Sequence, residues 1–238
     1  LDVLTSQNRY IFRPMEKLQM QKLGSVAVEE VVIDVDDEYT GVVIEKMSIR
    51  KAELQDMRPS GGGKTRMVMY APSRGMVGYH GEFLTDTRGS GVMNRLFHSW
   101  EPWKGEIPGR RNGALISNDK GQSTAYALWN LEERGQMFIA DGEDVYEGMV
   151  IGENSRGDDL DVNPLKGKKL TNVRASGKDE TIRLTPPRRL TLEQAMAWIE
   201  DDELGEVTPA AIRIRKAYLD PNERKKQERK SEAARAAG

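Results

Sequence analysis

The clearest alternation of apolar and polar positions lies early in the chain. Residues Val26–Val35 are rich in valine and isoleucine, and Val31, Ile33 and Val35 occupy every second position. A period of two is the spacing of side chains on one face of a β-strand. The pattern therefore predicts a strand with one buried face over Val26–Val35.

Helical and strand patterns alternate after this strand. Two helices are predicted, at Gly41–Lys51 and after Pro72–Gly75, and three strands, at Glu53–Met57, Thr65–Ala71 and Val92–Trp100. The order strand, helix, strand, strand, helix, strand is that of a ferredoxin-like domain, whose helices cover one face of an antiparallel sheet. We assign this βαββαβ domain to residues 26–106. Residues 1–25 are interpreted as a linker or the remnant of a preceding domain, with Arg9–Arg13 as a candidate strand.

The pattern after Trp103 is that of short strands separated by glycine-containing turns. The strand candidates are Asn112–Ser117, Ser123–Leu128, Gln136–Ala140, Met149–Glu153, Thr181–Leu184 and Ala211–Ala217. Such spacing is typical of a small barrel or sandwich. Together with the first domain, it predicts an α+β protein whose second, β-rich and barrel-like domain covers residues 107–238.

This second domain contains one clear helix signal. Thr191-Leu-Glu-Gln194 is a capping box, and apolar residues follow it at helical spacing. We expect this helix to pack on the core. The charged stretch 221–238 is interpreted as a frayed helical tail.

Composition narrows the class of protein. The chain is 31% charged and 37% hydrophobic with a net charge of −2, as expected of a soluble protein. It has no cysteine, which excludes disulfides and thiolate metal sites and is typical of a cytoplasmic protein. No apolar run approaches the roughly 20 residues of a membrane span. The chain begins at Leu1 without a methionine, which indicates a piece of a longer protein.

Residues 154–180 form the most unusual stretch. It opens with Asp158, Asp159 and Asp161, and the part from Pro164 to Lys178 then contains five cations and no acid. A long, basic, glycine-punctuated loop suits the phosphates of a nucleic acid. Composition alone leaves a solvated flexible loop as an equal alternative.

A second basic feature lies near the C-terminus. Arg213 and Arg215 alternate with isoleucines and are followed by Lys216, and further cations follow in the tail, namely Arg224, Lys225, Lys226, Arg229 and Lys230. If both basic features face the same way, they would form a phosphate-binding surface. A charged tail that merely solvates the protein is the alternative.

Other chemistry is weakly supported. Gly61–Thr65 resembles the end of a P-loop, but a strand rather than a helix is predicted after it. His80 and His98 lie far apart without carboxylate spacing around them, and no nucleophile-elbow motif is present. We therefore predict no catalytic residue and no metal ligand in this chain. An RNA-recognition sheet is also disfavoured, because the predicted third strand offers only Tyr70 for stacking.

Several ordered strings resemble one family. They are Pro72-Ser-Arg-Gly-Met-Val-Gly78, Glu82-Phe-Leu84, Thr87-Arg-Gly-Ser-Gly91, Gly113–Ser117, Asp144–Gly152, Lys168–Ser176, Glu206–Pro209 and Ile212–Lys216. Together they resemble the TypA/BipA translational GTPases over roughly residues 29–223. The resemblance implies that 26–106 is similar to domain V of elongation factor G and that 107–238 is the C-terminal domain peculiar to the family.

The resemblance also implies a function. Members of this family are ribosome-associated GTPases that act in stress-responsive translation and large-subunit assembly. Their long C-terminal loop would reach toward the peptidyl-transferase centre, 23S rRNA and the acceptor end of an A-site tRNA. P-loop, switch and NKxD motifs are missing here, so we predict that this chain is not itself an enzyme and that GTP and Mg²⁺ belong to a G domain outside it.

We predict that the chain is the ribosome-binding part of such a GTPase. The expected RNA contacts are Lys166, Lys168, Lys169, Thr171, Asn172, Arg174, Lys178, Arg213, Arg215 and Lys216. The alternative is a protein-interaction module that docks ribosomal proteins without direct RNA contact.

Overall fold

A computed structural model describes residues 2–6, 9–13, 24–167 and 182–236. The described residues divide into a first unit within residues 15–109, to which 196–198 are added, and a second unit made of the rest. The division thus falls at 109/110, compared with 106/107 in the sequence interpretation. In the described part of the chain, no helix has the length and apolar character that a membrane span requires.

The N-terminal residues form a β-hairpin. Strands β1 (Asp2–Ser6) and β2 (Arg9–Arg13) pair in antiparallel fashion, and β2 also pairs with residues 205–207. The buried Phe12 ring lies directly on the Gly205 backbone, where a Cβ atom would collide with it. Residues 1–25 were interpreted from sequence as a linker or the remnant of a preceding domain, and their described part contributes two strands to the sheet of the second unit.

The first unit has the predicted ferredoxin-like topology. Its elements are β3 (Ser25–Asp36), α1 (Thr40–Ile49), β4 (Glu53–Gly61), β5 (Lys64–Pro72), α2 (Tyr79–Asp86) and β6 (Val92–Pro102). The sheet order is β4-β5-β3-β6, and all neighbours are antiparallel. The sequence prediction of a βαββαβ domain is confirmed.

The core of the first unit follows from strand alternation. Val31, Ile33 and Val35 lie on one face of β3 and are fully buried. They pack with side chains from β5 and both helices, among them Met67, Met69, Val43, Met47 and Phe83. Each such side chain contributes about 1.5–3 kcal/mol when it is fully buried.

The second unit is β-rich, as predicted, but one predicted strand is a helix. It continues with β7 (Ala114–Ser117), β8 (Gly121–Gln122), α3 (Ala125–Leu131), β9 (Gly135–Met137), β10 (Asp144–Val145), β11 (Met149–Asn154) and β12 (Leu160–Val162). The prediction of a strand at Ser123–Leu128 is wrong. The Thr124 hydroxyl accepts a hydrogen bond from the Ala127 N–H at 3.2 Å, so it caps α3.

The remaining elements are α4 (Leu192–Trp198), β13 (Glu203–Val207), β14 (Ile212–Lys216) and α5 (Pro221–Ala236). The predicted capping box of α4 is confirmed, because Thr191 and Gln194 bond each other's backbone. The main sheet has the order β1-β2-β13-β14-β11-β7-β12, with β9 also paired to β11. No returning strand forms at 182–184, and Thr181 lies outside the described residues.

Candidate nucleic-acid interface

The acidic first part of the 154–180 stretch is ordered on the sheet. Strand β12 lies within it and pairs in parallel with β7, with Asp161 opposite Ile116. The loop that was predicted to begin at Asn154 thus includes a strand. We use the name basic segment for residues 164–178, of which 168–178 lie outside the described residues.

The start of the basic segment is fixed to α3. The backbone carbonyl of Pro164 accepts from the Thr124 N–H at 2.9 Å, and that of Lys166 accepts from the Thr124 hydroxyl at 3.1 Å. Leu165 packs against the core of the second unit, and its neighbour Lys166 is exposed. The first cation of the segment therefore faces solvent from a fixed position.

The chain beyond the basic segment returns to the same core. Leu184 packs on the hydrophobic cluster that Leu165 also contacts, which is formed by Leu115, Leu128, Met137 and Ile151 among others. The Thr185 N–H donates to the Glu132 carboxylate at 2.6 Å, and the Arg188 N–H donates to the Met137 carbonyl at 2.8 Å. The chain is thus anchored on one hydrophobic cluster both at the start of the basic segment and a few residues beyond its end.

The acids that precede the basic segment are bound to cations of the fold. Asp161 forms an ion pair with Arg224 at the start of α5. Asp159 forms an ion pair with Lys216, accepts from Arg110 at 3.2 Å, and accepts from the Ala114 N–H at 2.7 Å. These contacts neutralise Asp159 and Asp161 within the second unit.

Lys216 is the buried centre of a charge cluster. Its side chain is 2% exposed, and its Nζ lies 2.7 Å from Asp202 and 3.0 Å from Glu203. Arg110 donates two hydrogen bonds to Glu203, at 2.6 and 2.8 Å. We call Lys216, Arg110, Asp159, Asp202 and Glu203 the Lys216 cluster.

Two pKa shifts accompany this burial. Burial alone would lower the pKa of Lys216, but the carboxylates of Glu203, Asp202 and Asp159 raise it above its ordinary value. Burial alone would raise the pKa of Asp159, but Lys216 and Arg110 hold it below its ordinary value. Each charged form is therefore stabilised by its partners.

The two arginines of β14 differ in their surroundings. The Arg215 Nε donates to the Glu206 carboxylate at 2.7 Å, and Glu206 also accepts from the Tyr146 hydroxyl at 2.9 Å. Burial, together with this carboxylate, raises the pKa of Tyr146. Arg213 is half-buried and lines a groove of 730 Å³ beside Arg189, with Phe138 and Ile212 among the apolar lining residues.

The four sequence-predicted contacts that the structure describes therefore lie in four different environments. Lys166 is exposed, Arg213 lines a groove, and Arg215 is paired with Glu206. Lys216 is buried in ion pairs, so its ammonium is not offered to an external phosphate. Lys168, Lys169, Thr171, Asn172, Arg174 and Lys178 lie outside the described residues.

Sequence reasoning missed the Lys216 cluster, although one signal was available. Lys216 has the same strand parity as Ile212 and Ile214, which predicts an inward side chain. Its partners could not be predicted, because Asp159 and Glu203 reach it from other strands and loops. Arg110 gave no signal in the sequence.

Among the other candidate motifs, the Gly61–Gly63 turn and His98 take structural roles. Gly61–Gly63 form the turn between β4 and β5, each with a positive φ angle (86°, 64° and 74°). His98 stacks on Tyr70 with ring centroids 4.0 Å apart, and His80 is exposed. In the residues that the structure describes, no three His, Asp or Glu side chains are grouped for a metal ion.

Two family models match successive parts of the chain. The "Elongation factor G C-terminus" matches residues 27–111, and the "TypA/BipA C-terminal domain" matches residues 112–221. The two matches meet close to the division between the two units.

Relatives that match along most of this chain agree with the two family models. The "Large ribosomal subunit assembly factor BipA" of Haemophilus influenzae is 46% identical over 229 residues, which are 96% of this chain and 36% of the relative. That of Escherichia coli K12 is 44% identical over 96% of this chain and 37% of the relative. That of Bacillus subtilis is 45% identical over 208 residues, which are 87% of this chain and 34% of the relative. The chain spans little more than a third of these relatives.

Proposed function

The chain belongs to the TypA/BipA family, with its elongation-factor-G-like C-terminal domain followed by the TypA/BipA C-terminal domain, and we propose that it binds the large ribosomal subunit through RNA phosphates. The observation that carries this proposal is the separation of charges around residues 154–180. Asp159 and Asp161 are neutralised by cations of the fold. The cations of the basic segment follow without any acid from 164 to 178.

The basic segment is the proposed principal contact. Five cations there, Lys166, Lys168, Lys169, Arg174 and Lys178, would contact phosphates, while Thr171 and Asn172 would donate or accept hydrogen bonds. Cations without acids in their own segment repel one another, and phosphates relieve that repulsion. The chain packs on the core at Leu165 and again at Leu184, and these two contacts would hold the basic segment at one side of the core.

The cations of β14 receive different roles in this proposal. Arg213 would contact RNA from the groove that it lines. Arg215 and Lys216 are paired with carboxylates, so they would keep β14 in place rather than contact RNA.

The particular partners are a finer part of the proposal. The relatives are named large ribosomal subunit assembly factors, which favours 23S rRNA as a partner, with the acceptor end of an A-site tRNA as a further one. Binding of this kind would take place in the cytoplasm. GTP and Mg²⁺ would belong to a G domain of a longer protein, and we expect GTP turnover at background by this chain alone.

Binding to 50S subunits at several salt concentrations tests the proposal. Changing Lys168, Lys169 and Arg174 to alanine should weaken binding and reduce the slope of log K against log salt by about 2–3, at roughly 0.7–0.9 for each lost phosphate contact. The matched control removes three exposed cations elsewhere, Arg58, Lys120 and Arg134. Equal affinity and slope for the two triple variants would contradict the role of the basic segment.

A protein-docking function is the second candidate, and one observation favours it. Leu96, Phe97 and Trp100 of β6 are 61–69% exposed, and exposed apolar side chains of this size are typical of protein contacts. Digesting the RNA of captured ribosomal particles separates the two candidates. Ribosomal proteins that stay bound after RNA removal would favour docking, and complete release would favour RNA binding.

A further inference from the structure

We propose that helix α5 carries a second RNA-binding surface, formed by Lys225, Lys226, Arg229 and Lys230, which we call the α5 stripe. This surface lies outside the basic segment, and it rests on the proposed function only for the identity of the RNA, that of the large ribosomal subunit. The match to the TypA/BipA C-terminal domain ends at residue 221, so the stripe also lies beyond the matched family domain.

The four cations lie on one side of the helix. At about 100° per residue their positions fall within an arc of about 140°, and the two i, i+4 pairs are each about 6 Å apart along the axis. All four side chains are exposed. Asn222 and Ala233 share this face, whereas the glutamates at positions 223 and 228 fall about 20° and 60° outside the arc.

The helix is fixed to the second unit by its opposite side. Arg224, which points about 180° away from the middle of the stripe, forms an ion pair with Asp161 and donates to the Leu219 carbonyl. Asp220 caps the first turn, since its carboxylate accepts from the N–H groups of residues 222 and 223 at 2.6 and 3.2 Å. The first turn is thus oriented, with the stripe directed away from its anchor.

The anchor also relates the stripe to the basic segment. Asp161 lies in β12, only five residues before Lys166. The ion pair with Arg224 therefore holds the start of α5 next to the strand from which the basic segment leaves. A single RNA surface could contact both features.

The charge pattern favours a phosphate partner over simple solvation. Opposite charges at i, i+3 or i, i+4 stabilise a helix, as Glu223 with Lys226 and Lys225 with Glu228 would here, and like charges at those spacings destabilise it. The α5 stripe contains two like pairs, Lys225 with Arg229 and Lys226 with Lys230. Nucleic-acid phosphates relieve such repulsion, because they supply closely spaced negative charges along the backbone.

The first test changes Lys225, Lys226, Arg229 and Lys230 to glutamine in the full chain. Glutamine keeps a helix propensity close to that of lysine and arginine, so circular dichroism should be unchanged. Affinity for purified 50S subunits should fall at least tenfold near 150 mM salt, and the slope of log K against log salt should decrease by about 3. Unchanged affinity and slope would overturn the proposal.

A relocation variant serves as the matched control. The exchanges Lys226→Gln with Gln227→Lys and Lys230→Ser with Ser231→Lys move two cations to the other side of the helix without altering net charge. The proposal predicts a slope lower by about 1.5, because two of four phosphate contacts are lost. Binding equal to that of the unaltered chain would show that only net charge matters, and would contradict a specific face.

Comparison with the basic-segment variant separates the two proposals. If the Lys168, Lys169 and Arg174 variant binds normally while the glutamine variant of α5 does not, the basic segment is excluded and the stripe is retained. The opposite result excludes the stripe alone. Binding by the stripe that persists after the RNA is digested would identify a protein partner and overturn the RNA proposal.

Discussion

Two cation-rich parts of the second unit lie only a few residues apart and have opposite surroundings. Lys216 at the end of β14 is buried among carboxylates, whereas Lys225, Lys226, Arg229 and Lys230 of the α5 stripe are exposed on one face of a helix. In sequence both are runs of basic residues. The position and pairing of a cation, rather than its presence, therefore decide between a structural and a binding role.

The largest expected effect is on stability, from Lys216→Met. Glu203 is fully buried, and without Lys216 part of its charge and that of Asp159 would be uncompensated. Loss of one partner of a buried pair costs about 3–5 kcal/mol, which urea unfolding can measure. Lys226→Met in the α5 stripe is the control and should change the free energy of unfolding by less than about 0.5 kcal/mol. Equal losses in free energy of unfolding for the Lys216 and Lys226 variants would contradict a structural role that is specific to Lys216.

A smaller effect that depends on pH is expected from Asp159→Asn. Lys216 and Arg110 hold the folded pKa of Asp159 below its ordinary value, so its charge stabilises the fold above that ordinary value and the stabilisation is lost as pH falls through the folded pKa. Near pH 7 the variant should be about 1–3 kcal/mol less stable. The difference in free energy of unfolding should shrink below pH 4, and a constant difference down to pH 2 would contradict this assignment.

The smallest effect on stability is expected from Arg224→Gln. Asp161 is partly exposed, and such ion pairs contribute about 0–1 kcal/mol. The loss in free energy of binding to 50S subunits should exceed the loss in free energy of unfolding, because the α5 stripe would lose its orientation relative to the basic segment. The control, Lys120→Gln, removes one exposed charge that does not orient α5, and it should leave the affinity for 50S subunits within twofold of that of the unaltered chain. A variant that binds like the Lys120 variant would show that orientation of the helix is unimportant.

Elements with a strong period or a complete local signal could be predicted from sequence. The alternation of Val31, Ile33 and Val35 predicted β3, and the Thr191–Gln194 capping box predicted α4. The prediction of a strand at Ser123–Leu128 was wrong because the short apolar pattern there fits either a strand or a helix. The Thr124 cap and the neighbouring Pro164 carbonyl, a tertiary contact, determine the helix there.

The candidate site was less predictable, because charge pairing is a tertiary property. The acids Asp159 and Asp161 and their partners Lys216 and Arg224 are more than 50 residues apart in sequence. Nothing local indicates that these acids are neutralised by the fold rather than by the nearby lysines. Strand parity could have shown that Lys216 points inward, but not which carboxylates meet it there.

A site-specific cross-link tests RNA contact by the basic segment most directly. The chain has no cysteine, so Asn172→Cys gives a unique attachment point for a thiol-reactive photo-cross-linker. Gln55→Cys on the exposed strand β4 is the control. On 50S subunits, residue 172 should give cross-links to RNA that nuclease removes, and residue 55 should give far fewer. Cross-links from residue 172 to ribosomal proteins alone, or equal RNA cross-linking from both positions, would contradict the account.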